Sequence, residues 1–324
     1  MKRLFYAIAA LFIISGYALA QNEAYLDQVG ASGTIPLTTY HGVNIHQLGV
    51  DNKLGGPGDV PTDPAIGAVR LRGATNALVV NQIGTAAYSN EGWIHQNGGT
   101  TAINIGVLSQ IEGRNDAHIK QKGAISNTFS VYQTDLSAPH DGKNKAKLVQ
   151  EGPTNFATSG QFLDGGGSNY YNVDQLSGTA NLVTSLVFLP YFPSYAVSNY
   201  GILQAGGANR LSKVAVNPSN AMAVDGDHTA PTFQTATGIN FMAIYQESYS
   251  TALENRIAMS QTAAAGDNVA ALIQEGVDLE AYIVQDGSAN TVVGMQTGAD
   301  KYFSVHQEML GGSPTANACI FTQL

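Results

Sequence analysis

A single cysteine, Cys319, stands in 324 residues. No intramolecular disulfide can form, so a fold in an oxidising compartment must rest on packing and hydrogen bonding. Charge is also scarce. Asp, Glu, Lys and Arg make up 12% of the chain, against a usual share of about 25%, which excludes a charged disordered tail. Basic residues are the rarer sign, 15 Lys and Arg against 24 Asp and Glu, which argues against nucleic acid as a partner, because a phosphate backbone needs a Lys/Arg surface. Long apolar runs are missing except at the start, where Lys2 and Arg3 precede a stretch from Leu4 to Tyr17 and the small-x-small triplet Ala18-Leu19-Ala20. That pattern predicts a signal peptide over residues 1–20, cleaved near Gln21, and an exported chain that is not membrane-integral. Losing Lys2 and Arg3 and no acid moves the net charge from −9 to −11.

Glycine, in contrast, is abundant at 36 residues, as in a chain of short strands and tight turns. A repeat organises residues 21–324 as a single domain: Asn, five residues, Gln, and often Gly two residues later. The strict spacing occurs at Asn22/Gln28, Asn76/Gln82, Asn90/Gln96, Asn104/Gln110, Asn115/Gln121, Asn127/Gln133 and Asn144/Gln150. It continues at Asn155/Gln161, Asn169/Gln175, Asn240/Gln246, Asn255/Gln261, Asn268/Gln274, Asn290/Gln296 and Asn317/Gln323. His41/Gln47, Ser198/Gln204, His228/Gln234, Leu279/Gln285 and Lys301/Gln307 keep the Gln, while Asn181/Val187 and Asn209/Ala215 keep the Asn. A decayed unit is expected between Gln47 and Asn76.

On a strand, residues i, i+2, i+4 and i+6 share one face. Taking Asn as i, positions i+2 and i+4 of the strict units hold no charge, as in Leu78 and Val80 or Ala146 and Leu148. Positions i+1, i+3 and i+5 are mixed and include Asp116, Lys145, Lys147 and Arg256. The Asn/Gln face is therefore read as the interior. Gln positions such as 82, 96, 110, 121 and 133 leave room for a strand and a corner but no helix. Gly84, Gly98, Gly123, Gly152, Gly276, Gly287 and Gly298 are read as turn residues. The expected fold is all-β: a solenoid of stacked strand-turn-strand repeats, cross-β and amyloid-like, with ten or eleven rungs spaced at about 4.8 Å. Inward amides directly above one another would form ladders that fix the register. Segments around Gly55–Pro64, Ser137–His140, Phe188–Pro193 and Val216–Pro231 interrupt the pattern and are read as loops leaving at the corners.

The paired half-repeats resemble the curlin family, the subunits of curli fibres. Its pattern is Ser, five residues, Gln-x-Gly-x-x-Asn-x-Ala, three residues, Gln. Gln150-Glu-Gly152-Pro-Thr-Asn155-Phe-Ala157-Thr-Ser-Gly-Gln161 meets the second part at every defined position. Gln110 to Gln121 meets it with the glycine shifted to Gly113, Gln285 to Gln296 carries Val292 in the Ala place, and Ser198 to Gln204 keeps the initial Ser. Asn usually replacing that Ser, and the long insertions, are departures from the family. The resemblance implies export through an outer-membrane secretion pore and growth of a cell-surface fibre for adhesion and biofilm matrix, with self and a nucleating curlin-like subunit as partners. Major subunit and minor nucleating subunit both remain open.

Catalytic, cofactor and metal sites are not expected. His41 and His46 would point to opposite faces of a strand, and His95, His118 and His306 are read as solvated. Cys319, in an inward slot, is read as a buried thiol. Trp93, Tyr191 and Phe192 are read as packing residues rather than a glycan site. The competing readings are an enzyme on a parallel β-helix and a monomeric extracellular solenoid binding glycan or ice.

Overall fold

A computed structural model describes residues 21–24, 27–29, 40–48, 50–54, 69–72, 75–84, 89–98, 103–135, 142–163, 167–183, 202–206, 208–211, 232–248, 255–264, 267–309 and 317–324. The signal-peptide reading, Tyr191, Phe192 and the acids Asp225 and Asp227 lie outside those residues. The described chain forms twenty strands and no helix. Its strand pairings are parallel and join like residue to like residue, as in Asn127↔Asn155 and Gln133↔Gln161.

The registers divide the strands into two stacks, visited in alternation. Sheet one runs through Gln28, Leu71, Gln96, Gln121, Gln150, Gln175, Gln234, Gln261, Gln285 and Gln307. Sheet two runs through Gln47, Gln82, Gln110, Gln133, Gln161, Gln204, Gln246, Gln274, Gln296 and Gln323. Each series has ten levels, a column about 48 Å tall at the usual strand spacing. The interior between the sheets is apolar, with Leu78, Val80, Leu108, Phe129, Leu148, Met242 and Ile257 all buried. A β-solenoid is therefore the fold, built on the face that alternation selects.

Three interruptions sit elsewhere than the corners. The strand carrying Asn181 breaks after Val183 and resumes at Ile202, two residues before Gln204. The strand carrying Asn209 breaks after Leu211 and resumes at Thr232, two before Gln234. Likewise Asn52 pairs with Asn90, the strand breaks after Leu54, and Val69-Arg70-Leu71 completes it against Ile94 to Gln96. Asn181/Val187 and Ser198/Gln204 are thus one split unit, as are Asn209/Ala215 and His228/Gln234. The decayed unit is Asn52 to Leu71. All three insertions replace the residue at i+3, of outward parity, so the places i, i+2, i+4 and i+6 stay in register with the neighbouring levels. Only the Ser137–His140 segment falls at a corner, between Asp135 and Gly142.

Glycine at two inward positions accommodates a ring on the next level. A Cβ at Gly106 would collide with the Phe129 ring, and one at Gly294 would lie 2.5 Å from the Phe321 ring. At the corners, Gly123 and Gly298 have φ of 76° and 135°, where a side chain is strained. Gly84 and Gly152 are needed for room instead: a Cβ at Gly152 would lie 2.6 Å from Asn127 Nδ2 and 2.7 Å from the Ala124 carbonyl.

Since the insertions contribute no ladder residue, replacing 184–201 or 212–231 by a single threonine should leave a continuous strand. The expected result is an unchanged β circular dichroism spectrum and a stability higher by about 1–3 kcal/mol in denaturant titration, from loop closure no longer required. Loss of the β signal would show that the segments hold the strands in place.

Candidate functional site: amide ladders, outer faces and the last rung

The inward amides form hydrogen-bonded chains of opposite polarity. Asparagines donate toward the C-terminal end: Asn76 Nδ2 to Asn104 Oδ1 (2.8 Å), Asn104 to Asn127 (2.8 Å), Asn127 to Asn155 (3.0 Å) and Asn155 to Asn181 (2.8 Å). The line continues through Asn240, Asn268 and Asn290 to Asn317. Glutamines donate toward the N-terminal end: Gln82 Nε2 to Gln47 Oε1 (2.8 Å), Gln110 to Gln82 (2.8 Å), Gln133 to Gln110 (2.7 Å) and Gln161 to Gln133 (2.7 Å). The Asn115–Asn144 and Gln121–Gln150 steps of sheet one follow the same two directions.

A primary amide has two N–H groups, and the second one closes the corner. Gln133 Nε2 also donates to the Lys145 carbonyl (2.6 Å), Gln150 to Phe156 (2.7 Å) and Gln274 to Glu280 (3.1 Å), in each case at i+1 of the following unit. Asn104 Nδ2 donates to the Lys122 carbonyl (3.1 Å), Asn115 to Thr134 (3.1 Å) and Asn144 to Phe162 (3.0 Å), one residue past the following unit's Gln. Each of these amides therefore joins its own sheet along the column and the opposite sheet across a corner, whereas Asn155 turns its second N–H to the Gly152 carbonyl just before it. The ladder was legible in the repeat; the corner bond was not, because it depends on where the next strand enters.

The outer faces differ. Sheet one carries every charge of the i+1, i+3 and i+5 columns, including Glu91, Asp116, Lys120, Lys145, Lys147 and Asp174, whereas sheet two carries no Asp, Glu, Lys or Arg there from Gly42 to Thr322. Alternate units had to be separated for this to show. Sheet one is also partly covered. His95 is buried, and the expectation that His95 and His118 are solvated is overturned: the His118 ring stacks on Trp93 with centroids 3.9 Å apart and lies 3.2 Å from Asp116. Lys147 and Asp174 are buried as a pair at 3.9 Å. His306 is exposed beside Glu308, at 2.8 Å. Among the described residues no three His, Cys, Asp or Glu side chains cluster to hold a metal.

Tyr171 points inward with its hydroxyl unpartnered, and burial pushes its pKa above the usual tyrosine range. Asp286 is raised by burial and then by Glu308.

The last rung explains why Cys319 is exposed rather than buried. It occupies the inward i+2 slot opposite Val292, yet among the described residues no strand pairs beyond it. Partial burial still pushes its thiol pKa up. On this rung Phe303 and Phe321 stack across the interior, centroids 3.5 Å apart. Gln307 and Gln323 donate back to Gln285 (2.8 Å) and Gln296 (2.9 Å). Lys301 takes an Asn place and donates to the carbonyls of Gly298 and Leu324. Comparison with known proteins finds no family, no curated protein and no solved structure that matches this chain.

Two substitutions test the ladder. Gln133→Leu leaves the Lys145 carbonyl and a Gln161 N–H unpaired and should lower stability by roughly 2–4 kcal/mol, read by denaturant titration. Gln133→Glu places a carboxyl at a buried amide position, raising its folded pKa above its unfolded value. Stability should then be highest below about pH 4 and fall as pH rises through the folded pKa, relative to wild type. Tyr171→Phe removes an unpaired buried hydroxyl and should be neutral or stabilising by up to about 1 kcal/mol.

Proposed function

We propose that this chain is a secreted structural subunit that polymerises end to end into a cell-surface, curli-like amyloid fibre. The observation that carries the reading is the last rung, which no strand covers among the described residues: the amide ladders reach it, and its inward Cys319 is exposed. An open sheet edge pairs with another chain unless it is blocked, and a stacked copy would bury Cys319 and extend the ladders.

The ladder polarity supports one mode of stacking. A copy added head to tail meets Gln oxygens with Gln N–H groups in both sheets, at Gln307 with Gln28 and at Gln323 with Gln47. Head to head, acceptor faces acceptor in the glutamine ladders. On the second level of sheet two the buried Asn76 Oδ1 has no partner, where the asparagine ladder ends because His41 takes the Asn place on the first level. The Asn line of sheet one stops short, with Leu279 and Lys301 in its last two places, so a joint would be made by the two glutamine lines, with Asn317 meeting the His41 place and Lys301 the Asn22 place. The repeat pattern itself resembles curlins. On this reading adhesion and matrix formation follow from the fibre, and export uses an outer-membrane pore. The same surface suits a major subunit and a nucleating one.

The test uses purified chain from Gln21, free of denaturant, followed by thioflavin fluorescence with electron microscopy at the endpoint. Unbranched fibres that seed fresh protein are expected. Cys319 should be modified readily by a maleimide in the soluble chain and protected in fibres, except at their ends. A stable soluble monomer with Cys319 reactive throughout would falsify the fibre reading and turn attention to glycan and ice binding.

A further inference from the structure

The column has two unlike sides. Sheet one is charged and partly covered on its outer surface, through Lys147, Asp174 and the Trp93–His118 stack. Sheet two has no formal charge in its i+1, i+3 and i+5 columns at any of its ten levels, and the acids of outward parity on its strands, Asp267, Glu247 and Glu275, stand at the two margins of that stripe. Of the eight large hydrophobic residues exposed among the described residues, only Tyr302 belongs to a sheet-one strand. Val79, Val293 and Ile320, 47%, 44% and 64% exposed, stand in the outward i+3 column of sheet two. The insertions follow the same division. Segment 184–201, which leaves sheet two, has five aromatic residues and no charge, whereas 55–68 and 212–231, which leave sheet one, contain Asp59, Asp63, Lys213, Asp225 and Asp227.

We infer that the outer face of sheet two is a lateral interface, and that its occupant is the same face of a second copy, so that two columns lie side by side. The three central columns offer no charge to an ionic partner, and the acids stand only at the margins, on the levels of Gln246 and Gln274. The face also lacks the Lys and Arg residues by which an apolar face is held at a lipid headgroup layer. Its length favours a second column. At about 48 Å by 23 Å it offers roughly 1,000 Å² per column, so a pair buries on the order of 2,000 Å², the range of stable specific interfaces. A partner of equal height and equal rung spacing can cover it throughout, and end-to-end stacking would prolong the same uncharged stripe from copy to copy. The outward β-branched and small residues, such as Val107, Ser130, Thr158 and Ala271, suit a dry interdigitated contact.

The inference rests on the fibre reading for its setting, and the experiment separates the two. Mass per length is measured by scanning transmission electron microscopy on fibres of wild type, of Val79→Lys/Val293→Lys, and of the sheet-one control Ser304→Lys, with circular dichroism confirming that each is folded. Wild type and control should contain two chains per about 48 Å of fibre. The double lysine variant should contain one, a twofold drop, while still elongating from seeds. Wild-type fibres of single-column mass, or a double variant that keeps two columns, overturn the lateral interface and leave the fibre reading intact. If no fibres form, the fibre reading fails and sedimentation of the soluble chain decides this one: a dimer that the double variant converts to monomer supports it, and a wild-type monomer overturns it, as does wild type that binds neutral phosphatidylcholine vesicles as a monomer.

Discussion

A primary amide buried in an apolar interior has to find partners for two N–H groups and a carbonyl. This column satisfies that demand by placing an identical amide on the next level and a main-chain carbonyl across the corner. Gln133 shows the whole arrangement: it bonds Gln110 and Lys145 and receives Gln161. The ladder sets which residues lie above one another. The corner bond sets where each following strand begins. Between them they hold two sheets in register without a disulfide or a helix.

The same demand decides where the chain tolerates change. Four inward positions and the corner carbonyls are committed, and the outward i+3 residue takes part in neither the ladders nor the corner bonds. All three long insertions enter there, after Leu54, Val183 and Leu211. Inside, volume is traded between levels: Gly106 makes space for Phe129, and Gly294 for Phe321. The tenth level is built to the same pattern with no strand above it among the described residues, which leaves a cysteine exposed in a slot of the inward column.

Alternation also separates the chemistry of the two outer surfaces. Because successive units fall on opposite sheets, charge carried by every second unit becomes a charged side, and the others make an uncharged side. One sheet is charged and ion-paired while its opposite keeps its three central columns free of charge along the full height. The last rung and the flank of sheet two are different surfaces, and the proposed fibre assigns growth along the axis to one and association across it to the other.

Read alone, the sequence established the repeat, the inward face, the amide ladders and the all-β solenoid, because a six-residue Asn-to-Gln spacing with apolar i+2 and i+4 has one economical reading on a strand. It also carried the sidedness, but unread, since that requires knowing that odd and even units part company. Pairing decided the rest. The three-dimensional register joined Asn181 to Gln204 and Asn209 to Gln234 across insertions that sequence spacing had assigned to separate units. It placed Leu71 where a glutamine was expected, covered His95 and Lys147 on an outward face, and exposed Cys319 on an inward one. Spacing along a chain specifies which way a side chain points; what lies against it is set by strands tens of residues away, and only the folded column brings those together.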